Sequence, residues 1–166
     1  MPTPTYDLLA SNVLGSATAT VTFSSIVETY RDLVLVMNIT GGNGDVYAGL
    51  RFNSDTTANY NYTEARGDGT STAAYQGSSE TIATLYGAYA SISNPASYVV
   101  NIMDYSATDK HKTFLVRSNR ANQMTAMLAG HWFNANSRIS SITIGSFGNG
   151  NTMAAGSSFY LYGIVS

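Results

Sequence analysis

The chain has 166 residues, enough for one domain that buries its own core without disulfides. Its eight Lys and Arg residues are scattered and the net charge is −2, which argues against the clustered basic surface that nucleic-acid binding needs. Cysteine is absent, which excludes disulfides, thiolate catalysis and Cys-ligated metals. Only 11% of residues are charged, against ~25% in typical soluble domains, and Ser, Thr, Asn, Gly and 12 Tyr take the place of the missing charge.

From the N-terminus, "MPTPTYDLLA" has neither a basic segment nor a long apolar run, so a Sec signal peptide is not expected and the chain is expected to fold in the cytoplasm. No apolar run is long enough for a transmembrane helix, and no membrane partner is expected. Extended segments rich in Val, Ile, Thr, Tyr and Phe then follow one another: Thr5 to Ala10, Ala17 to Phe23, Tyr30 to Ile39, Val46 to Phe52, Tyr60 to Arg66, Thr81 to Tyr89, Ser97 to Tyr105, Lys112 to Ser118, Met124 to Trp132, Arg138 to Ile144 and Ser158 to Val165. Turn residues separate them, as in "ITGGNGD", "FNSD", "RGDGTS", "SNPAS" and "SFGNGN". Gly67 to Ser79 reads as the most loop-like stretch. No segment repeats apolar residues with the period of a helix. The pattern predicts one all-β domain over residues 1–166, a jelly-roll-like antiparallel sandwich with residues 1–5 as a short arm.

Alternation predicts which strands are covered. In "VYAGLRF", Val46, Ala48, Leu50 and Phe52 share one side, as expected of a strand with one buried face. "DLVLVMNI" has no polar residue from Leu33 to Met37. In "GSSFYLYGIVS", Phe159 and Leu161 share one side while Tyr160 and Tyr162 take the other. Both strands ask for cover on two faces, which a two-layer sandwich does not readily supply. The closing strand is therefore expected to pair along both edges, with Phe159 and Leu161 in the core and Tyr160 and Tyr162 against a covering loop or a neighbouring subunit. Gly163 is expected where a neighbour approaches too closely for a Cβ.

Chemistry-bearing constellations are sparse. His111 in "DKHKT" reads as a solvated turn and His131 in "AGHWF" as a strand residue packed on aromatics; no spacing matches a metal motif. No G-x-S-x-G elbow is present, and Asp45, Asp55, Asp68 and Asp109 stand in turn contexts where Asp bonds to local backbone N–H groups. No enzyme activity, cofactor or metal is expected. "RGD", Arg66 to Asp68, reads as a turn. Tyr60, Tyr62, Tyr75, Tyr86, Tyr89 and Trp132 could stack on sugar rings if exposed together, which favours a glycan partner; the other reading places them in core and interface.

Six stretches taken in order, "TYDLLASNVLGSATATVTFSSI", "TYRDLVLVMNI", "LRFNSDTTANYNYTEARGDGTS", "HKTFLVRS", "GHWFNANSRISSITIGSF" and "AAGSSFYLYGI", resemble a family of small β-sandwich virion proteins of tailed bacteriophages, frequent in cyanophage genomes. The resemblance runs from Tyr6 to Ile164 and is carried by Leu50 to Asn53, by Tyr60 to Tyr62 and by Phe159 to Ile164. It implies a structural role without catalytic residues. With the module taken as the entire protein, it implies a capsid cement or decoration protein on the virion surface that binds over the major capsid protein lattice. Separately, the 11% charged fraction and the two strands apolar on both faces predict that the chain associates with itself as a homo-dimer or homo-trimer, or binds the capsid through surfaces rich in Tyr and small polar residues. The alternative that the resemblance implies is a tail-fibre or baseplate module that recognises a host glycan. Tyr160, Tyr162, Tyr60, Tyr62 and Trp132 are the candidate interface residues.

Overall fold

A computed structural model describes residues 5–85, 87–121, 124–147 and 149–165. Of the expected arm, residues 1–4 lie outside the described residues. The described residues form twelve strands: β1 (Tyr6–Val13), β2 (Thr20–Phe23), β3 (Asp32–Ile39), β4 (Ala48–Phe52), β5 (Tyr60–Gly67), β6 (Thr72–Glu80), β7 (Ala83–Thr84), β8 (Ala96–Met103), β9 (Lys112–Arg120), β10 (Met124–Trp132), β11 (Ile142–Ser146) and β12 (Ser158–Ile164). No helix is present among the described residues, hence none long and apolar enough to cross a membrane.

The strands form two antiparallel sheets, one of eight strands in the order β1-β12-β3-β8-β9-β10-β5-β6 and one of four in the order β2-β11-β4-β7. With the hairpins β5–β6 and β9–β10 set aside, eight strands remain in two sheets of four, β1-β12-β3-β8 and β2-β11-β4-β7, and the chain passes from one sheet to the other at most steps. This is the jelly-roll order. The two hairpins are insertions, one between β4 and β7 and the other between β8 and β11. Both add to the same sheet beyond β8, which is why that sheet has eight strands.

The core lies between the sheets. Alternate residues supply it: Leu33, Leu35, Met37 and Ile39 from β3, Tyr98, Val100 and Ile102 from β8, Phe159 and Leu161 from β12, and Leu50, Phe52, Ile142 and Ile144 from the smaller sheet. Val46, Ala48, Leu50 and Phe52 are all buried, as their alternation predicts. Beneath the inserted hairpins the core continues as an aromatic cluster in which Phe52 packs against Tyr60, Phe114 and Trp132 with ring centroids 5.7 to 6.0 Å apart. The segment after β7 closes over it: Leu85 N–H donates to the Ala48 carbonyl, and Gly87 lies against Ala126 and Glu64.

Side-chain amides and carboxylates fix the turns. Asn53 has a positive φ of 53° and uses both ends of its amide: Nδ2 donates to the Arg138 carbonyl, and Oδ1 accepts from Ser140 N–H and Ser141 N–H. Asn tolerates that backbone better than most residues and bridges two loops from it. Asn43 Oδ1 accepts from Thr152 N–H, and Asn149 and Asn151 donate to the Asp45 carbonyl, so the turns at Asn43 to Asp45 and Asn149 to Thr152 hold one another.

Two sequence expectations are corrected. The stretch read as a loop, Gly67 to Ser79, holds all but the last residue of the nine-residue strand β6 after a tight turn. Its small polar residues have low strand propensity, but β5 supplies a full pairing partner from Gly67↔Thr72 to Tyr62↔Gly77. Conversely, the strand expected over Thr81 to Tyr89 shrinks to β7, because this segment crosses over the inner face of the inserted hairpins instead of pairing along its length.

Candidate interface on the outer face of the large sheet

The closing strand lies where its alternation puts it. β12 pairs with β1 on one edge and β3 on the other. Phe159 and Leu161 are buried, whereas Tyr160 and Tyr162 are half-buried on the opposite face. Among the described residues no third layer covers that face, the outer face of the eight-stranded sheet.

The register shows how far the apolar character extends. One row across the strands runs Leu8, Tyr162, Val34, Asn101, Leu115, Ala129, Thr63. The next runs Tyr160, Val36, Val99, Arg117, Met127, Ala65, Ala74. Leu8, Leu115 and Met127 are 56%, 47% and 67% exposed, so the band is open to solvent at β1 and at β9 and β10, whereas Val34 in the middle is buried by its neighbours. A shallow, mostly apolar groove runs between β5 and β9, walled by Ala65, Leu115, Met127 and Ala129. Along one side the band is bordered by an uncharged, mostly polar row, Ser158, Asn38, Ser97, Asn119, Thr125, Gly67, Thr72, in which Ser97 Oγ donates to Asn38 Oδ1 at 2.5 Å.

Charge is scarce on this face. Of the described residues that the register turns outward, Asp32 and Arg117 are the charged ones. Asp32 is 8% exposed, and its carboxylate accepts from Arg31 Nε at 2.7 Å and from Asp104 N–H at 2.9 Å. His131 also lies here, packed edge-on against Phe133 at 4.2 Å, as its sequence context predicts. Burial and the nearby His111 lower its pKa, which favours the neutral ring at neutral pH. Eight strands ~4.8 Å apart give a face roughly 34 Å across, and with ~25 Å along the strands it matches the ~800 Å² that one partner gives to a standard protein interface. An apolar centre with a polar border is the make-up of such an interface.

Three of the candidate interface residues stand elsewhere. Tyr60 and Trp132 are 0% and 1% exposed inside the aromatic cluster, with Trp132 Nε1 donating to Asp55 and Phe52 N–H to the Tyr60 hydroxyl oxygen. Their alternation set them on the core side, where they offer no ring to a partner. Tyr62 is half-buried on the same side of β5, with its ring across Gly77. The rings proposed for sugar stacking do not share a platform: Arg66 covers Tyr75 at 3.9 Å, Arg120 covers Tyr89 at 4.2 Å, and Tyr86 lies outside the described residues.

The charged groups of the "RGD" turn are engaged internally. Asp68 of "RGD" accepts from the backbone and side chains of Thr70 and Ser71, and these bonds, the backbone ones foremost, hold its pKa well below the usual carboxylate range. Arg66 of the same triplet rests on Tyr75, so both charges of the motif are occupied within the hairpin. Glu64 differs. Its side chain is fully buried, neither oxygen has a hydrogen-bond partner, and its single ionic neighbour is Arg66 Nε at 3.7 Å. Burial raises its pKa, partly offset by Arg66. Among the described residues no three His, Asp or Glu side chains group as metal ligands.

No protein-family model matches the chain. No curated protein matches it either.

Proposed function

We propose that this chain is a structural protein of a tailed-phage virion, a capsid cement or decoration protein that lays the outer face of its eight-stranded sheet on the lattice of the major capsid protein. The supporting observation is that face: two apolar rows across the strands, with Leu8, Leu115 and Met127 open to solvent, Tyr160 half-buried and almost no charge. A face of this kind contributes through burial of apolar area, so many identical copies can bind a repeating lattice without strong individual contacts. The resemblance of Tyr6 to Ile164 to small phage virion modules supplies the partner, and the sheet face supplies the means. The internal engagement of Asp55, Asp68 and the two histidine contexts favours a binding role over a catalytic one.

The test is stoichiometric. Quantitative mass spectrometry of purified particles is expected to find the chain at an abundance comparable with the major capsid protein and to find it retained in moderate salt. A copy number typical of fibres, together with binding to host glycans, would favour the receptor-binding alternative.

A further inference from the structure

We infer that β6 is an edge through which two copies of this chain join, their large sheets running on antiparallel across a two-fold axis normal to the sheet. The two sheets end in four edge strands, β1, β6, β2 and β7. Three of these are blunted. β2 and β7 are four and two residues long, and β1 is broken by a bulge between Leu8 and Ala10. β6 is nine residues long, and its irregularity falls at the far end, opposite Tyr60 to Tyr62. Thr72 to Gly77 is therefore a regular, solvent-facing row ~20 Å long. It has no proline, no lysine and no charge before Glu80, the devices with which natural edges discourage pairing.

The occupant is a second copy because this edge is complementary to itself. Antiparallel pairing about a two-fold sets Thr72 to Gly77 against the same segment of the second copy, side chains that are neutral and, apart from Tyr75, small, with no like charges directly opposed. The charges nearest by are already held within the hairpin: Arg66 lies on Tyr75, and the Asp68 carboxylate is taken by Thr70 and Ser71. An axis normal to the sheet also keeps both outer faces on one side. The apolar row that runs from Met127 through Ala65 to Ala74 reaches the edge itself, so pairing makes the two bands one continuous surface. The inference stands without the virion reading, since it concerns the chain with itself.

Sedimentation velocity on the purified chain tests it. Ala74 is exposed, so Ala74→Lys and Ala74→Asp leave the fold intact by circular dichroism. The wild type is expected to sediment as a dimer, each variant alone as a monomer, and an equal mixture of the two variants as a dimer again. Because the chain has no cysteine, Ala74→Cys is expected to cross-link copy to copy under mild oxidation, and Leu8→Cys on the opposite edge is not. A wild-type chain that stays monomeric at high concentration would overturn the inference. So would a dimer that survives Ala74→Lys but dissolves with Tyr160→Asp, or equal cross-linking at both edges.

Discussion

The ring of Tyr30 fills the space that a side chain at Gly163 would need, with three ring carbons well inside contact distance of a Cβ at that position. The Tyr30 hydroxyl donates to Asp7 Oδ2 at 3.1 Å, and Asp7 is the residue paired with Gly163 across β1 and β12. Tyr30 thus straps the closing strand to the first one, and the glycine is there because the strap crosses at that point. Gly163→Ala is expected to destabilise the fold by ~1–3 kcal/mol through overpacking. Adding Tyr30→Ala should make the double variant less unstable than the sum of the two singles. Chemical denaturation of the four proteins of this cycle measures the coupling, and strict additivity would show that the ring and the glycine do not meet.

The two faces of β12 are expected to respond differently. Leu161 is 1% exposed in the core, and Leu161→Ala should cost ~2–5 kcal/mol of stability by opening a cavity. Tyr160 stands on the outer face, so Tyr160→Ala should change the unfolding midpoint little and weaken assembly more. Deleting residues 158–165 removes the strand between β1 and β3 and is expected to abolish soluble folding. A truncated chain that folds would show β12 to be dispensable.

Much of this was legible in the sequence because alternation is a local signal. The doubly apolar runs Leu33 to Met37 and Phe159 to Ile164 announced a sheet with two greasy faces, and the placement of Phe159, Leu161 and Gly163 followed from the period of two. Tyr60 and Trp132 lie in the core for a reason that alternation does not carry: an aromatic on a strand reads alike whether its face meets core or partner, and only the passage of β7 and Gly87 against β5 and β10 decides. Leu115 and Met127 are legible too, since "FLV" and "AML" place apolar residues on both sides of their strands. β6 was illegible as a strand because Thr72 to Ser79 has turn-like composition, and its pairing with β5 is set by the tight turn at Asp68 rather than by the propensity of its residues.

Asp55 gives the acid dependence of stability. Burial would raise its pKa, but hydrogen bonds from Thr57, Asn59 and Trp132 outweigh that and hold it at about 2, below the ordinary 3.8. A carboxyl depressed on folding adds stability that is present above the unfolded value and is lost as pH falls from about 3.8 toward about 2. Asp55→Ala should flatten this part of the profile. At neutral pH it should cost ~1–3 kcal/mol by leaving the buried Trp132 N–H without its acceptor. Thermal melts of both proteins between neutral and strongly acid pH provide the comparison.

Glu64 works in the opposite direction. Its pKa is raised by burial, so the native state holds the proton longer than the unfolded chain, and its contribution is most favourable at acid pH and declines as pH rises above the ordinary 4.5. Glu64→Gln removes a buried charge that accepts no hydrogen bond, while Arg66 keeps its stacking on Tyr75. The variant is expected to be more stable than the wild type at neutral pH and to lose that advantage in acid. A variant less stable at neutral pH would mean that the Arg66 ion pair outweighs the burial.

If the outer face of the eight-stranded sheet is covered in the assembled particle, the reactivity of a single cysteine placed on it reports that cover. Met127→Cys places a thiol at a large apolar side chain of the face that is 67% exposed, in a chain that otherwise has no cysteine. Its reaction with a maleimide is expected to be fast in the free protein and strongly slowed once the protein is bound to capsids, while a cysteine at exposed Ile92, outside the face, reacts equally in both states. Equal reactivity of Met127→Cys free and bound, with capsid binding intact, would contradict the account.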